Sequence, residues 1–159
     1  MICEQVLENL KSGDFADYEV HYVDVEWHET FKRLHKKVTQ QGEEIGIRLG
    51  NDILKVGLRQ GDVLYAGNRQ VIVVNIPKCK SIVIEIDENH IHMLGKVCYE
   101  IGNKHAALFW GENHRQLVTP YDKPTLMLLQ KLQGINVKVA DVKLDLEKGI
   151  QTTVHKHTH

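Results

Sequence analysis

Two histidine signals carry the chemistry of this 159-residue chain. One is Gly102-Asn103-Lys104-His105, a single imidazole at the end of a predicted helix. The other is the terminal run His155-Lys156-His157-Thr158-His159. Imidazole suits divalent nickel, copper and zinc. Three alternating histidines on a free end can close on a metal with almost no framework, and a fixed histidine upstream could make them part of a defined site. That pairing points to metal handling rather than catalysis. His105 also has a plainer reading, as a surface residue favoured by the helix dipole. The metal reading gains from Gly102 and Asn103, which tolerate left-handed backbone and let the chain turn sharply. The terminal run has three readings: a purification tag, a solvated tail without a role, or a metal lure. Tags are usually unbroken, whereas Lys156 and Thr158 interrupt this run, and short His-rich tracts commonly bind metal.

The remaining candidates read as structural. His90 and His92 fall two apart in the predicted helix and are expected on different faces. No H-E-x-x-H pattern is present. His21, His28, His35 and His114 are scattered over strands and loops, with His114 near enough to a hairpin to reach a metal site. Cys98 lies on an apolar stripe and reads as core. Cys79, between Lys78 and Lys80, reads as an exposed thiol. There is no G-x-S-x-G, no P-loop and no G-x-G-x-x-G, so an enzyme is not expected. A composition of 42% hydrophobic and 26% charged residues suits a globular domain. A net charge of -1 gives no basic field for nucleic acid. Three cysteines without a C-x-x-C pair suggest a reducing compartment. No secretory leader and no membrane-length apolar run is evident, so a cytoplasmic protein with no membrane partner is expected.

Those histidines need elements to hold them. Residues 19–27, 34–38, 45–49, 56–58, 61–65 and 71–74 form short strands by alternation, punctuated by Gly and Asn, and predict a small β-sandwich or barrel without a helix. The rhythm changes near Asn75-Ile76-Pro77-Lys78. Residues 81–86 then read as a strand, and Asp87 offers an N-cap. Ile91, Leu94, Cys98 and Ile101 fall at helical spacing, with Gly102 placed to end that helix. Residues 107–110 and 116–119 predict a hairpin. Asp122 and Pro124 open a second helix with Leu126, Leu129 and Leu132 inward, and Val137, Val139 and Val142 suggest a last strand. The order β-α-β-β-α-β is ferredoxin-like. The expectation is therefore an α+β chain: a small N-terminal all-β domain at 1–76, a ferredoxin-like domain at 77–147 and a flexible His-bearing tail at 148–159, since periodicity fades from about Leu144.

At the level of whole motifs the chain resembles the UreE urease accessory protein family. Val25-Glu26-Trp27 followed by Lys32-Arg33 is similar to that family's early strand. Gly61-Asp62-Val63-Leu64-Tyr65 matches its G-D-V-L turn, and Cys98-Tyr99-Glu100-Ile101-Gly102-Asn103-Lys104-His105 matches its helix ending in G-N-[R/K]-H. The His-bearing C-terminus completes the likeness. The resemblance implies a nickel metallochaperone that passes Ni(2+) to apo-urease during urease maturation, with help from a urease accessory GTPase. It implies a peptide-binding N-terminal domain and a homodimer formed through the second domain. His105 of each subunit would meet near the two-fold axis on one nickel ion, and His155, His157 and His159 would complete its shell. Zn(2+) is the expected competing ion. Two departures stand out. Thr119-Pro120-Tyr121-Asp122-Lys123 lacks the histidines that some members carry before the second helix, and Lys104 replaces the commoner Arg, keeping the charge but losing the planar fork. Other readings of the same residues are a generic nickel/zinc buffer protein and a protein-interaction module with an incidental His tail.

Overall fold

A computed structural model describes residues 1–150, so His155, His157 and His159 lie outside the described residues. The chain divides into two compact units, Met1–Pro77 and the residues from Lys78 onward.

The first unit is built from seven strands: β1 (Ile2–Cys3), β2 (Glu8–Asn9), β3 (Glu19–Asp24), β4 (Leu34–Val38), β5 (Glu44–Arg48), β6 (Asp62–Gly67) and β7 (Gln70–Asn75). They form two sheets, ordered β1-β5-β4 and β2-β6-β7-β3. Most pairings are antiparallel, but β1 lies parallel to β5 and β3 parallel to β7. Asn68 and Arg69 both take positive φ between β6 and β7, which is the backbone of a tight primed hairpin turn. Val63, Val71 and Val73 are fully buried, with Phe15, Tyr18 and Tyr22 packed on them. One departure from the all-β expectation is α1 (Ile53–Val56), a single helical turn where a strand at 56–58 was expected. Gly57 takes φ +69 and donates its N–H to the Ile53 carbonyl, which stops the turn and delivers Leu58 into the core.

The second unit runs β8 (Cys79–Ile86), α2 (Met93–Asn103), β9 (Phe109–Trp110), β10 (Gln116–Pro120), α3 (Lys123–Gln130) and β11 (Ile135–Val142). Its sheet is antiparallel in the order β11-β8-β10-β9. This is the ferredoxin-like βαββαβ arrangement, so the α+β fold class expected from the sequence is the one observed. Ile82, Ile84 and Ile86 alternate onto one face of β8 and are fully buried with Val97 and Ile101 of α2 and Leu129 of α3. Each such side chain contributes about 1.5–3 kcal/mol through its removal from water. The described chain continues to pack beyond Leu144, where periodicity had faded. Leu144 is buried, Gly149 bridges to Phe109, and the Ile150 N–H donates to the Leu108 carbonyl at 2.7 Å. Leu144, Gly149 and Ile150 pack singly, between exposed residues, and leave no period to read. Among the described residues no helix is long and apolar enough to cross a membrane.

Candidate metal centre

The end of α2 is where the first histidine signal sits, and its geometry differs in one respect from the sequence expectation. The helix does not stop at Gly102. It runs through Asn103, with Lys104 as C-cap, and the residue in left-handed backbone is His105 itself, at φ +55. The His105 N–H donates to the Gly102 carbonyl at 3.0 Å and the Ala106 N–H to the Ile101 carbonyl at 3.3 Å. These two bonds make a Schellman termination, in which the left-handed position is usually glycine. Ile101 is fully buried and Ala106 packs on the same core, so the apolar contact that accompanies the motif is present too. A side chain with a Cβ pays about 1–2 kcal/mol for this backbone. His105 therefore occupies a strained position, fixed by the core beneath it, with its imidazole exposed. The C-terminal end of a helix carries roughly half a negative charge, which favours a cation bound there.

Lys104 is drawn off to the side. Its Nζ lies 3.3 Å from Thr125 Oγ1 and 3.9 Å from Asp122 Oδ2. Asp122 is the N-cap of α3 and accepts from the Thr125 N–H at 3.0 Å and the Thr125 hydroxyl at 2.6 Å. The hydrogen bond from the Thr125 side chain, then that from its backbone, and lastly the Lys104 charge hold the Asp122 carboxyl below the usual carboxylate range. The pair ties the last turn of α2 to the first turn of α3. Asp122 is legible in the sequence as a cap, but its link to Lys104 has no local signature.

The face of α2 leading to His105 is open. Tyr99 is 70% exposed. A Cβ built on Gly95 or Gly102 meets nothing within 4 Å. Gly95, Tyr99 and Gly102 share one stripe at i, i+4 and i+7.

The other histidines separate by surroundings. His21 sits between Gln70 Nε2, 2.8 Å from Nδ1, and Glu19 Oε1, 3.1 Å from Nε2, as a packed polar link between strands. His35 Nε2 lies 2.9 Å from the Lys32 carbonyl, and burial pushes its pKa down. His114 rests edge-on against Trp110 at 5.9 Å. Cys98 is half-buried against the core, and burial pushes its thiol up, away from the thiolate a metal needs. Cys79 is half-buried rather than exposed, with Ser81 Oγ 3.8 Å from its sulfur. His90 and His92, expected on different faces, have ring centroids 6.0 Å apart, because the chain there is a 3-10 turn bent into the start of α2 rather than a straight helix. Among the described residues no three His, Cys, Asp or Glu side chains gather into a ready metal cage. The described part of one chain thus brings a single imidazole to the end of α2.

Both units match one family. Residues 3–77 match the UreE urease accessory protein N-terminal domain, and residues 81–159 match its C-terminal domain. The chain is 43% identical over 154 residues to the urease accessory protein UreE of Helicobacter pylori strain G27, covering 97% of this chain and 88% of that protein. It is 42% identical over 154 residues to that of Helicobacter acinonychis strain Sheeba, with the same 97% and 88% coverage. To that of Acetivibrio thermocellus it is 38% identical over 159 residues, covering 100% of this chain and 99% of that protein. With both domains matched and identity sustained along nearly its whole length, the chain belongs to the UreE urease accessory protein family.

Proposed function

We propose that this protein is a nickel metallochaperone that delivers nickel to apo-urease during urease maturation, acting without catalysis of its own. The observation that carries the proposal is His105. It is an exposed imidazole held in strained left-handed backbone at the end of a rigid helix, in a family that serves urease. A single imidazole leaves nearly all of a nickel coordination sphere open. A homodimer supplies the second, with His105 from each subunit on one ion. The bare stripe of Gly95, Tyr99 and Gly102 beside His105 supports a second copy as the neighbour, because glycine allows close backbone approach and Tyr99 offers area to bury.

His155, His157 and His159 serve as the outer ligands. Three donors spaced along one segment of chain can be given up one at a time. That keeps them exchangeable, which suits hand-over to the urease accessory GTPase and the apo-urease complex. Zinc competes for the same imidazoles. The N-terminal unit takes the peptide- and partner-binding role, the segment 77–147 the metal-binding and dimerisation role and 148–159 the tail role, in a cytoplasmic setting.

The test is titration of the wild-type and His105→Ala proteins with nickel, with mass and stoichiometry read together. The expected result is about one tight ion per dimer for the wild type and its loss in the variant. Undiminished tight binding with unchanged stoichiometry overturns the site.

A further inference from the structure

At the opposite end of α2 the chain makes a second histidine arrangement. Asp87 opens a 3-10 turn, Glu88–His90, by accepting the Asn89 N–H on Oδ1 at 2.8 Å. The His90 N–H closes the turn onto the Asp87 carbonyl at 2.9 Å. The turn is pinned to the neighbouring loop, since the Asp87 N–H donates to the Gly134 carbonyl at 2.9 Å. Gly134 takes φ +80, and a Cβ there would fall 2.6 Å from His90 Cβ and 2.7 Å from its Cγ. The His90 side chain therefore lies directly over the glycine, its position set by a backbone that carries no side chain.

Three observations make this more than two surface histidines. His90 and His92 have ring centroids 6.0 Å apart with planes tilted by 48°. Two imidazoles that bind one ion through nitrogens at about 2.0–2.1 Å have centroids roughly 4.5–6.4 Å apart, depending on the angle between ligands. The observed separation lies inside that range, toward its wide-angle end, so the two rings are close enough to share one ion once their nitrogens are turned toward it. Next, His90 Nδ1 faces Asp87 Oδ2 at 3.6 Å. Asp87 caps the turn through its other oxygen, so Oδ2 is available to close to hydrogen-bond distance on the ring when an ion binds the far nitrogen. A carboxylate behind one imidazole nitrogen fixes the tautomer and presents the other nitrogen to metal. Finally, both rings are exposed, so an ion reaches them from solvent with water filling its remaining positions.

We propose that His90 and His92, with Asp87 as the orienting carboxylate, form a second binding site for a divalent transition ion of the nickel, copper or zinc class. The site stands apart from His105. The two lie at opposite ends of α2, whose 11 residues span about 16 Å at 1.5 Å per residue. One chain suffices to form it, so it does not require the dimer or the terminal histidines.

The experiment uses the full chain carrying His105→Ala together with His155→Ala, His157→Ala and His159→Ala, titrated with nickel by calorimetry. One ion per chain is expected to remain bound. Adding His90→Ala and His92→Ala should abolish it, while either single change should remove most of it. Asp87→Asn retains an oxygen for the cap and should weaken binding roughly tenfold. Imidazole nitrogen NMR of the same background should show paramagnetic nickel broadening the His90 and His92 signals together. The inference is overturned if the background binds no ion, if binding survives loss of both histidines, or if only one ring responds. Thermal unfolding of each variant is read alongside, and both exposed histidines should be removable without loss of the fold. Because His105 is absent throughout, failure here leaves the His105 proposal standing, and failure of that proposal leaves this site unaffected.

Discussion

His105→Gly should make the metal-free protein more stable while destroying its proposed nickel site. In the Schellman termination of α2, His105 holds φ +55. Left-handed backbone costs a residue with a Cβ about 1–2 kcal/mol, and glycine escapes that cost. Glycine also frees the unfolded chain, which returns about 0.4–1 kcal/mol of the gain. The net expectation is a stabilisation of about 0.5–1 kcal/mol. For a unit of this size that raises the unfolding midpoint by about 2–8 °C. His105→Ala keeps the Cβ and gains nothing, so the order of midpoints should be glycine above histidine, with alanine at or below histidine. The assay is thermal and urea unfolding of all three proteins without metal, at one fixed chain concentration so that association contributes equally. Nickel titration of the same samples should show both variants equally impaired. If His105→Gly unfolds at or below the wild-type midpoint, the strain assigned to His105 is absent and the structural case for a specially held ligand fails.

Other expectations follow from the same contacts. Gly134→Ala should destabilise the second unit by about 1–2 kcal/mol or more, because alanine meets both the positive φ and the His90 side chain; urea unfolding reads this, and a neutral result would mean the loop moves freely. Glu29 Oε2 pairs with Lys37 Nζ at 2.5 Å, and that side-chain hydrogen bond above all holds the Glu29 carboxyl below its usual range. A lowered folded-state value means the pair stabilises above the unfolded carboxyl pKa of about 4.3 and loses its effect as pH falls through the lower folded value. Urea midpoints should therefore fall more steeply below pH 4.3 in the wild type than in Lys37→Met, and parallel curves would contradict this. Tyr99→Asp should give a monomer by light scattering and weaken nickel binding with the fold intact, whereas an undisturbed dimer would move the interface elsewhere. Deleting residues 155–159 should lower the number of ions bound while leaving unfolding midpoint and oligomer size unchanged; loss of the dimer would make the segment structural.

Much of the second unit was readable because its elements announce themselves locally. Asp122 caps, Leu129 lies inward, and β8 repeats Ile at alternate positions into one core. What escaped reading was decided by distant partners. The parallel pairings of β1 with β5 and β3 with β7 join segments whose own alternation is the same in either direction. The left-handed residue at the end of α2 was assigned to Gly102 or Asn103 on intrinsic preference, whereas it is His105. Ala106 must return over Ile101 to stay in the core, and that requirement chooses which residue turns. Helical spacing put His90 and His92 on separate faces, but Asp87 bends the chain into a 3-10 turn first, and the hydrogen bond from Asp87 to Gly134 holds that bend.

If His105 is the proposed nickel ligand, its arrangement gives a physical reason why one strained residue would suit a carrier better than a closed cage. A structural metal site surrounds its ion with donors from one chain, and its affinity then opposes release. Here the described residues bring one imidazole to the C-terminal end of α2, where the helix's partial negative charge favours a cation. The neighbouring Lys104, which would repel a dication, is turned toward Asp122 and Thr125 instead. Asp122 therefore has two consequences at once: it caps α3, and it takes up a positive charge that would otherwise stand beside the proposed metal site. Removing it with Asp122→Ala should release Lys104 toward His105 and weaken nickel binding without touching a ligand. The companion change Asp122→Ala with Lys104→Met separates the two consequences, since it leaves the cap broken but removes the repulsion. Recovery of nickel affinity in the double variant, with the unfolding midpoint still lowered, would attribute the loss to charge. If affinity stays low, the cap acts by positioning the end of α2, and the electrostatic role given to Asp122 is wrong.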